Sequence, residues 1–375
     1  MADRFGGKWL FGGCVLLSSV ISLLTPVAAR TDVALLITLR VISGLGEGVM
    51  FPAISEMIPR WSLPKYHTMV AIVIFLGMEG GIVVGMFVSG ILCDYGFAGG
   101  WPSVFYVFGA VGCIWSVAWF LVCYNSPSTH PLISAVELKY WETAHVTDLN
   151  TQPPTPWREI LTSFPVWALA LAYFANNWGY YTMITCLPTY MYDVLGLNMT
   201  TNGALSAVPF LVLLIVNPVL ALFADWLRYP GRLSTTVVRK IFCVSGLIFG
   251  GCFFILVGFT DCSVALAVAT ECAVLTCVGL VFCCVEVNHL DLAPVYAGPI
   301  MGVVYTVANL ASIAAPMSVS AFTKEEQTRS EWRNVFYVTA GIGAVGALVY
   351  LVIGSGEHQS WAGDTSTQNR EQADR

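Results

Sequence analysis

Two ionisable residues interrupt an apolar stretch near the start of the chain. Arg40 and Glu47 lie seven positions apart, so on a helix they share one face about 10 Å apart. Arginine suits a carboxylate because its planar guanidinium binds two oxygens at once. A carboxyl buried in an apolar stretch, as we expect for Glu47, can take up and release a proton. The alternative is an internal Arg–Glu ion pair that holds the helices together.

A second group of polar side chains occupies an apolar stretch in the middle of the chain. Tyr173, Asn177, Tyr180 and Tyr181 recur at helical spacing, which predicts that they share one face. Their hydroxyl and amide groups can bind the hydroxyls or carboxylate of a substrate. The alternative is that they join neighbouring helices and form an aromatic belt at the membrane surface.

Short clusters of charge flank several apolar stretches. An acidic residue followed by basic ones opens the chain and recurs after residue 224, and such pairs can hold the ends of neighbouring helices together. A third cluster ends a later apolar stretch and predicts a helix cap or a gate. We predict gating or structural roles for six residues of these clusters: Asp3, Arg4, Asp225, Arg228, His289 and Asp291.

Composition places these residues in a membrane protein. Of 375 residues, 57% are hydrophobic and only 11% are charged, whereas soluble proteins carry roughly 25% charged residues. The net charge of −6 argues against a nucleic-acid partner, which favours a basic face. The cysteines lie mostly in apolar runs without zinc-ligand spacing, and no nucleotide loop or catalytic triad supports an enzyme. We therefore expect no enzymatic activity, no metal and no cofactor.

Ten apolar segments are long enough to cross the hydrocarbon core, which needs about 20 residues. They cover approximately 9–29, 33–57, 68–93, 102–124, 164–192, 203–225, 238–259, 263–287, 293–321 and 334–354. Twelve of the seventeen Lys and Arg residues fall on the side that holds both termini, which makes that side cytoplasmic. The expected domains are an incomplete N-terminal bundle (1–124), a cytoplasmic linker (125–163), a six-helix C-terminal bundle (164–354) and a cytoplasmic tail (355–375).

Several motifs resemble one family of transporters. Four of them, in chain order, are Arg40-Val41-Ile42-Ser43-Gly44-Leu45-Gly46-Glu47-Gly48, Gly100-Trp101-Pro102-Ser103, Leu187-Pro188-Thr189-Tyr190-Met191 and Asn288-His289-Leu290-Asp291. Together they resemble the anion transporters of the major facilitator superfamily that include sialin, the vesicular glutamate transporters and the type I sodium-phosphate transporters. The resemblance covers essentially the whole chain. It implies an all-α integral membrane protein with the major facilitator fold, in which about ten of twelve spans are present and the first two are absent.

The resemblance also implies a function. It predicts a secondary active transporter of small organic anions, either acidic sugars or carboxylates, that is coupled to protons and embedded in a lysosomal, vesicular or plasma membrane. Its expected partners are the anion, a coupling ion (H⁺, or Na⁺) and the lipid bilayer. Three alternatives stay open: a truncated, non-transporting partner or regulator; an incomplete gene model; and sodium-coupled transport of inorganic phosphate.

Overall fold

The computed structural model of the protein describes residues 7–61, 67–127, 130–131, 133–134, 155–228, 232–260, 263–324 and 328–362. Within those residues every regular element is helical. The α-helices are α1 (Gly7–Thr31), α2 (Val33–Glu47), α3 (Met50–Trp61), α4 (His67–Tyr95), α5 (Trp101–Val122), α6 (Trp157–Thr162), α7 (Phe164–Asp193), α8 (Met199–Arg228), α9 (Thr235–Val257), α10 (Val264–Leu292), α11 (Ala297–Phe322) and α12 (Arg329–Ile353). Two 3₁₀ turns cover Pro294–Tyr296 and Ser360–Ala362.

The chain divides into two compact units. One comprises Met1–Gly81 and Phe87–Thr151, and the other comprises Ile82–Met86 and Gln152–Arg375. The first unit therefore holds α1 to α3, α5 and most of α4, and the second holds α6 to α12. The expected boundaries of the linker and the two bundles stay predictions, because much of 125–163 lies outside the described residues.

Eight helices among the described residues are long and apolar enough to span a membrane. They are α1, the Leu76–Tyr95 part of α4, α5, α8, α9, α10, α11 with the turn before it, and α12. The all-α membrane fold predicted from composition is confirmed. Two of the ten predicted spans do not meet this criterion, namely 33–57 and 164–192, and they fail for different reasons.

The prediction of a single helix over 33–57 is wrong, because the structure ends α2 at Glu47 and begins α3 at Met50. Glycines at 44 and 46 precede the break and Gly48 lies in it, and a glycine inside a helix costs about 1 kcal/mol relative to alanine. Pro52 falls in the first turn of α3, where a missing N–H is tolerated. The pieces have 15 and 12 residues, so at 1.5 Å per residue neither crosses the hydrocarbon core alone.

Helix α7 matches the prediction in length but is less apolar than its neighbours. It runs without a break for 30 residues, and Asn176, Asn177 and several tyrosines lower its hydropathy. Buried residues recur along its whole length, because α7 packs against α10, α11 and α12 within its unit. A helix that its neighbours shield from lipid can carry polar side chains that a lipid-facing helix cannot. The polarity of α7 therefore marks it as an interior helix of this unit.

Two segments that we expected to lie outside the bundles also pack against them. In the expected linker, α6 buries Ile160 completely in the core of the second unit. In the expected tail, the N–H of Gly356 donates to Thr236 Oγ1 (3.0 Å) and the N–H of Gln359 donates to the carbonyl of Leu292 (2.9 Å). The tail is thus docked on the start of α9 and the end of α10 as far as residue 362.

Small residues allow α9 and α10 to approach closely. A Cβ atom added at Gly246 of α9 would lie 2.6 Å from Cγ2 of Val281 and 2.7 Å from the carbonyl oxygen of Cys277, both on α10. Backbone oxygen cannot move aside as the end of a flexible side chain can. This contact is the kind of small-residue interface that helices in membranes commonly use.

We expect Gly246→Ala to lower the free energy of unfolding by about 1–3 kcal/mol, because the added methyl must push α9 and α10 apart. Gly341→Ala on α12 is the control, since nothing lies within 4 Å of its added Cβ. There the better helix propensity of alanine should raise stability by up to about 1 kcal/mol. Thermal unfolding of the purified variants measures both effects, and a stable Gly246→Ala protein would contradict the close packing.

Candidate functional site

Arg40 lies in the middle of α2, a helix with much of its surface exposed. Apolar side chains on α2, such as Ile37 and Leu45, are exposed together with Arg40 itself. The guanidinium carbon of Arg40 lies 5.4 Å from the ring centroid of Phe105 on α5. This cation–π contact orients the guanidinium without using its N–H donors, which are the groups that bind a carboxylate.

Glu47 is exposed at the end of α2, so the expectation that it is buried within a span is wrong. The physical reason is that neighbouring helices cover little of α2, in which Ser43 is the one buried residue. Its Oε1 accepts a hydrogen bond from Ser43 Oγ (2.7 Å), and Ser43 Oγ also lies 3.3 Å from Ser18 Oγ of α1. Among the ion pairs of the described residues, none joins Arg40 to Glu47. The alternative of an internal Arg–Glu pair is therefore not supported.

In the second unit, hydrogen bonds to one carboxylate connect three helices. Glu286 of α10 accepts a hydrogen bond on Oε1 from the hydroxyl of Tyr173 on α7, and one on Oε2 from the hydroxyl of Tyr305 on α11 (2.8 Å). The rings of Tyr173 and Tyr305 are 5.3 Å apart. One predicted residue of α7 thus meets two residues that the prediction did not include.

The other predicted residues of α7 lie along the same side of the helix. Tyr180 packs edge-on against Phe282 of α10 (5.6 Å), as Tyr173 does at 6.2 Å. Tyr181 donates to Oδ1 of Asn309 on α11 (3.0 Å). Asn177 is buried. The expected shared face is therefore present, whereas a role of these residues in binding stays a prediction.

A network of charges joins the start of α9 to the end of α10. Asp291 accepts from Arg239 Nε at 2.8 Å on one oxygen and pairs with Arg228 Nη2 at 3.3 Å on the other. Arg239 also donates through Nη1 to the carbonyl of Cys283 (2.9 Å), and its side chain is 3% exposed. Asp225 lies 4.0 Å from Arg228 and is 76% exposed. Asp291, and not the neighbouring Asp225, is therefore the acid that holds these helix ends together.

Three further residues belong to the predicted charge clusters, namely His289, Asp3 and Arg4. His289 lies two residues before Asp291 on α10, and its Nδ1 is buried without a hydrogen bond from the described residues. Asp3 and Arg4 lie outside the described residues, so their predicted pairing stays a prediction. The pairing predicted for the first charged loop is therefore not tested, whereas Arg228 of the second loop takes part in a network of ion pairs.

A family model described as the Major Facilitator Superfamily matches residues 1–316. The chain belongs to the major facilitator superfamily. Sialin from Homo sapiens is 37% identical over 362 residues, which cover 96% of this chain and 72% of sialin. Vesicular glutamate transporter 3 from Danio rerio is 36% identical over 374 residues, which cover 98% of this chain and 62% of that transporter. The predicted resemblance to this family of transporters is therefore confirmed.

Solved structures of other proteins share the fold of this chain. The crystal structure of a D-xylose-proton symporter superposes with a TM-score of 0.74 at 14% sequence identity, over 95% of this chain and 84% of the symporter. At this identity the likeness concerns the fold alone. The chain is thus a multi-pass membrane transporter with the major facilitator fold and a sequence of the sialin type.

Sequence reasoning missed two residues of this major facilitator protein that the structure places at the centre of polar networks. Glu286 lies within an apolar run, and an ionisable residue in a span is by itself a signal of function. Arg239 stands among the basic residues after Asp225, but its burial could not be read from that pattern. In both cases the missing information was the partner, which comes from a helix distant in sequence.

Proposed function

We propose that this chain is a secondary active transporter of small organic anions driven by a proton gradient. The observation that carries the proposal is Arg40, an exposed guanidinium in the middle of a helix of a sialin-type transporter. An anion that leaves water loses favourable hydration, and a fixed cation offsets that loss. Arg40 supplies the cation with its N–H donors unused by the contact with Phe105.

In this proposal Glu47 carries the coupling proton. Its carboxyl lies seven residues from Arg40 on the same face of α2 and accepts a hydrogen bond from Ser43, so it can bind a proton without losing a buried ion pair. Tyr173, Asn177, Tyr180 and Tyr181 contribute hydroxyl and amide groups for the substrate. Both termini and the 125–163 segment lie on the cytoplasmic side, and the host membrane is lysosomal, vesicular or plasma membrane.

Proteoliposomes that contain the purified chain test the proposal directly. Uptake of radiolabelled glucuronate, glutamate and inorganic phosphate is measured with an imposed proton gradient, and again with a sodium gradient. We expect proton-driven accumulation of at least one of the two organic anions. Accumulation of phosphate alone, driven by sodium, would favour the phosphate alternative. No uptake of any anion under either gradient would favour a non-transporting role.

Glu47→Gln is expected to abolish accumulation driven by the proton gradient, because an amide of the same shape cannot exchange a proton. The hydrogen bond from Ser43 can persist in this variant, so protein levels should not change. Glu159→Gln on the exposed face of α6 is the matched control and should accumulate substrate as the unmodified chain does. Full proton-driven accumulation by Glu47→Gln would assign the coupling proton to another residue.

A further inference from the structure

The carboxylate of Glu286 is bound by side chains from two other helices. It lies on α10 where α7 and α11 converge, within a single unit of the chain, and it is only partly buried. Two tyrosine hydroxyls, from Tyr173 and Tyr305, donate to its two oxygens. Each carboxylate oxygen can accept about two hydrogen bonds, so each retains room for one more donor.

The negative charge of Glu286 has no positive partner among the described ion pairs. The buried arginine of this region, Arg239, is bound to Asp291 and to the carbonyl of Cys283 instead. Two tyrosine hydroxyls compensate part of the cost of a carboxylate away from water, but they bring no charge. Among the described residues, no cation balances the charge of this carboxylate.

The two tyrosines that bind this carboxylate belong to a cluster of aromatic rings. The Tyr173 and Tyr305 rings lie 5.3 Å apart, and the Phe282 ring stands edge-on to Tyr173 at 6.2 Å. Ring faces attract organic cations, and a carboxylate among aromatic rings is the arrangement that proteins use for ammonium groups. A small metal ion would need several oxygen ligands that rings do not supply.

The edge of the cluster extends towards the exposed side of α11. Asn309 is exposed, and its Oδ1 accepts from Tyr181 (3.0 Å) while its Nδ2 donates to the carbonyl of Tyr305 (2.9 Å). These bonds hold the Asn309 amide and the Tyr181 hydroxyl in position before a ligand arrives. A site with its donors and acceptors held in place loses less entropy on binding.

We propose that Glu286, Tyr173 and Tyr305 form a binding site for an ammonium group. Glu286 provides the charge, the tyrosines orient it, and the aromatic faces contact the carbon atoms next to the nitrogen. The transport of organic anions proposed above is a separate function. The ammonium site itself does not depend on that transport function.

Two matched pairs of small ligands test the site by titration of the full chain in lipid nanodiscs, followed by saturation-transfer NMR. Choline and 3,3-dimethylbutan-1-ol have the same shape, and only choline is charged. 4-Aminobutyrate and pentanoate share the carboxylate and the chain length, and only the first carries ammonium. We expect choline and 4-aminobutyrate each to bind at least about 10-fold more tightly than its partner.

Glu286→Gln is expected to remove both preferences, because the amide keeps the size and the acceptor oxygen but not the charge. Glu271→Gln is the matched control on the same helix. Glu271 lies 15 residues away, about 22 Å along α10, and neither of its oxygens has a hydrogen bond from the described residues. This control should retain both preferences. Tyr305→Phe should weaken the binding of choline by less than Glu286→Gln does, because it removes one hydroxyl and keeps the ring.

The outcomes separate this proposal from the transport function. Equal binding of choline and its neutral partner would overturn the ammonium site, whatever the carboxylates do. Binding of choline without binding of either carboxylate would keep the ammonium site and count against anion transport. Loss of the preferences in Glu271→Gln as well would show a general change of the fold and overturn the assignment to Glu286. A pH dependence removed by Glu286→Gln, with no preference for ammonium, would make Glu286 a proton site and overturn the proposal.

Discussion

Asp291→Ala is expected to lower the free energy of unfolding by about 3–5 kcal/mol, because it leaves a buried arginine without its carboxylate. Arg239 is 3% exposed and has one other hydrogen bond, to the carbonyl of Cys283. A second arginine, Arg228, loses the same partner at 3.3 Å. Thermal unfolding of the purified protein, with size-exclusion chromatography to detect aggregation, measures the loss.

Asp225→Ala is the control for this effect. Asp225 also belongs to the charged loop, but it is 76% exposed and lies 4.0 Å from Arg228. An exposed pair of this kind contributes about 0.2–1 kcal/mol or nothing measurable. A loss as large as that of Asp291→Ala would mean that the loop itself, and not the buried pair, holds the helix ends.

The double variant Arg239→Met with Asp291→Leu distinguishes the electrostatic contribution of the ion pair from the packing contribution of the two side chains. Apolar side chains of similar volume remove both buried charges, and such replacements are often neutral or stabilising. We therefore expect the double variant to recover most of the stability lost in Asp291→Ala. If it remains equally unstable, the hydrogen bond of Arg239 to α10 is more important than the ion pair.

The helical, membrane-spanning fold could be predicted from the sequence because it depends on local composition. A run of about 20 apolar residues carries its own signal, and α8 to α12 follow it closely. The break between α2 and α3 was less visible, because the apolar run continues through it. The glycines at 44, 46 and 48 and the proline at 52 indicated the break. A count of spans that uses hydropathy alone does not detect them.

The candidate site could be predicted only as far as one helix reaches. The face of α7 that carries Tyr173 and Tyr180 follows from helical spacing, and both side chains do contact Phe282. The pairing of Tyr173 with Glu286 joins positions 113 residues apart, and no periodicity within either helix encodes it. The same holds for Arg239 and Asp291, where the sequence favoured the nearer Asp225 as the acidic partner.

Arg40→Lys is expected to weaken carboxylate binding about 10-fold or more, although it preserves the charge. A guanidinium holds both oxygens of a carboxylate through two parallel N–H donors, whereas an ammonium acts as a point charge. The loss of one charge-assisted hydrogen bond, about 1.5 kcal/mol, corresponds to that factor. The binding of pentanoate to the full chain in lipid nanodiscs, titrated by NMR, gives the affinity of the carboxylate without any contribution from an ammonium group.

Arg30→Lys is the matched control for Arg40→Lys. Both arginines contact an aromatic ring, but Arg30 lies at the end of its helix and Arg40 lies in the middle. Arg30 also lies over an aromatic ring, 6.0 Å from the centroid of Trp101, and it donates to the carbonyl of Ala98 (3.1 Å). It stands in the last turn of α1, near the end of a span, where a charge remains close to water. We therefore expect pentanoate affinity to be unchanged in Arg30→Lys. An equal loss in both variants would indicate a general effect of surface charge, and no loss in Arg40→Lys would show that another residue holds the carboxylate.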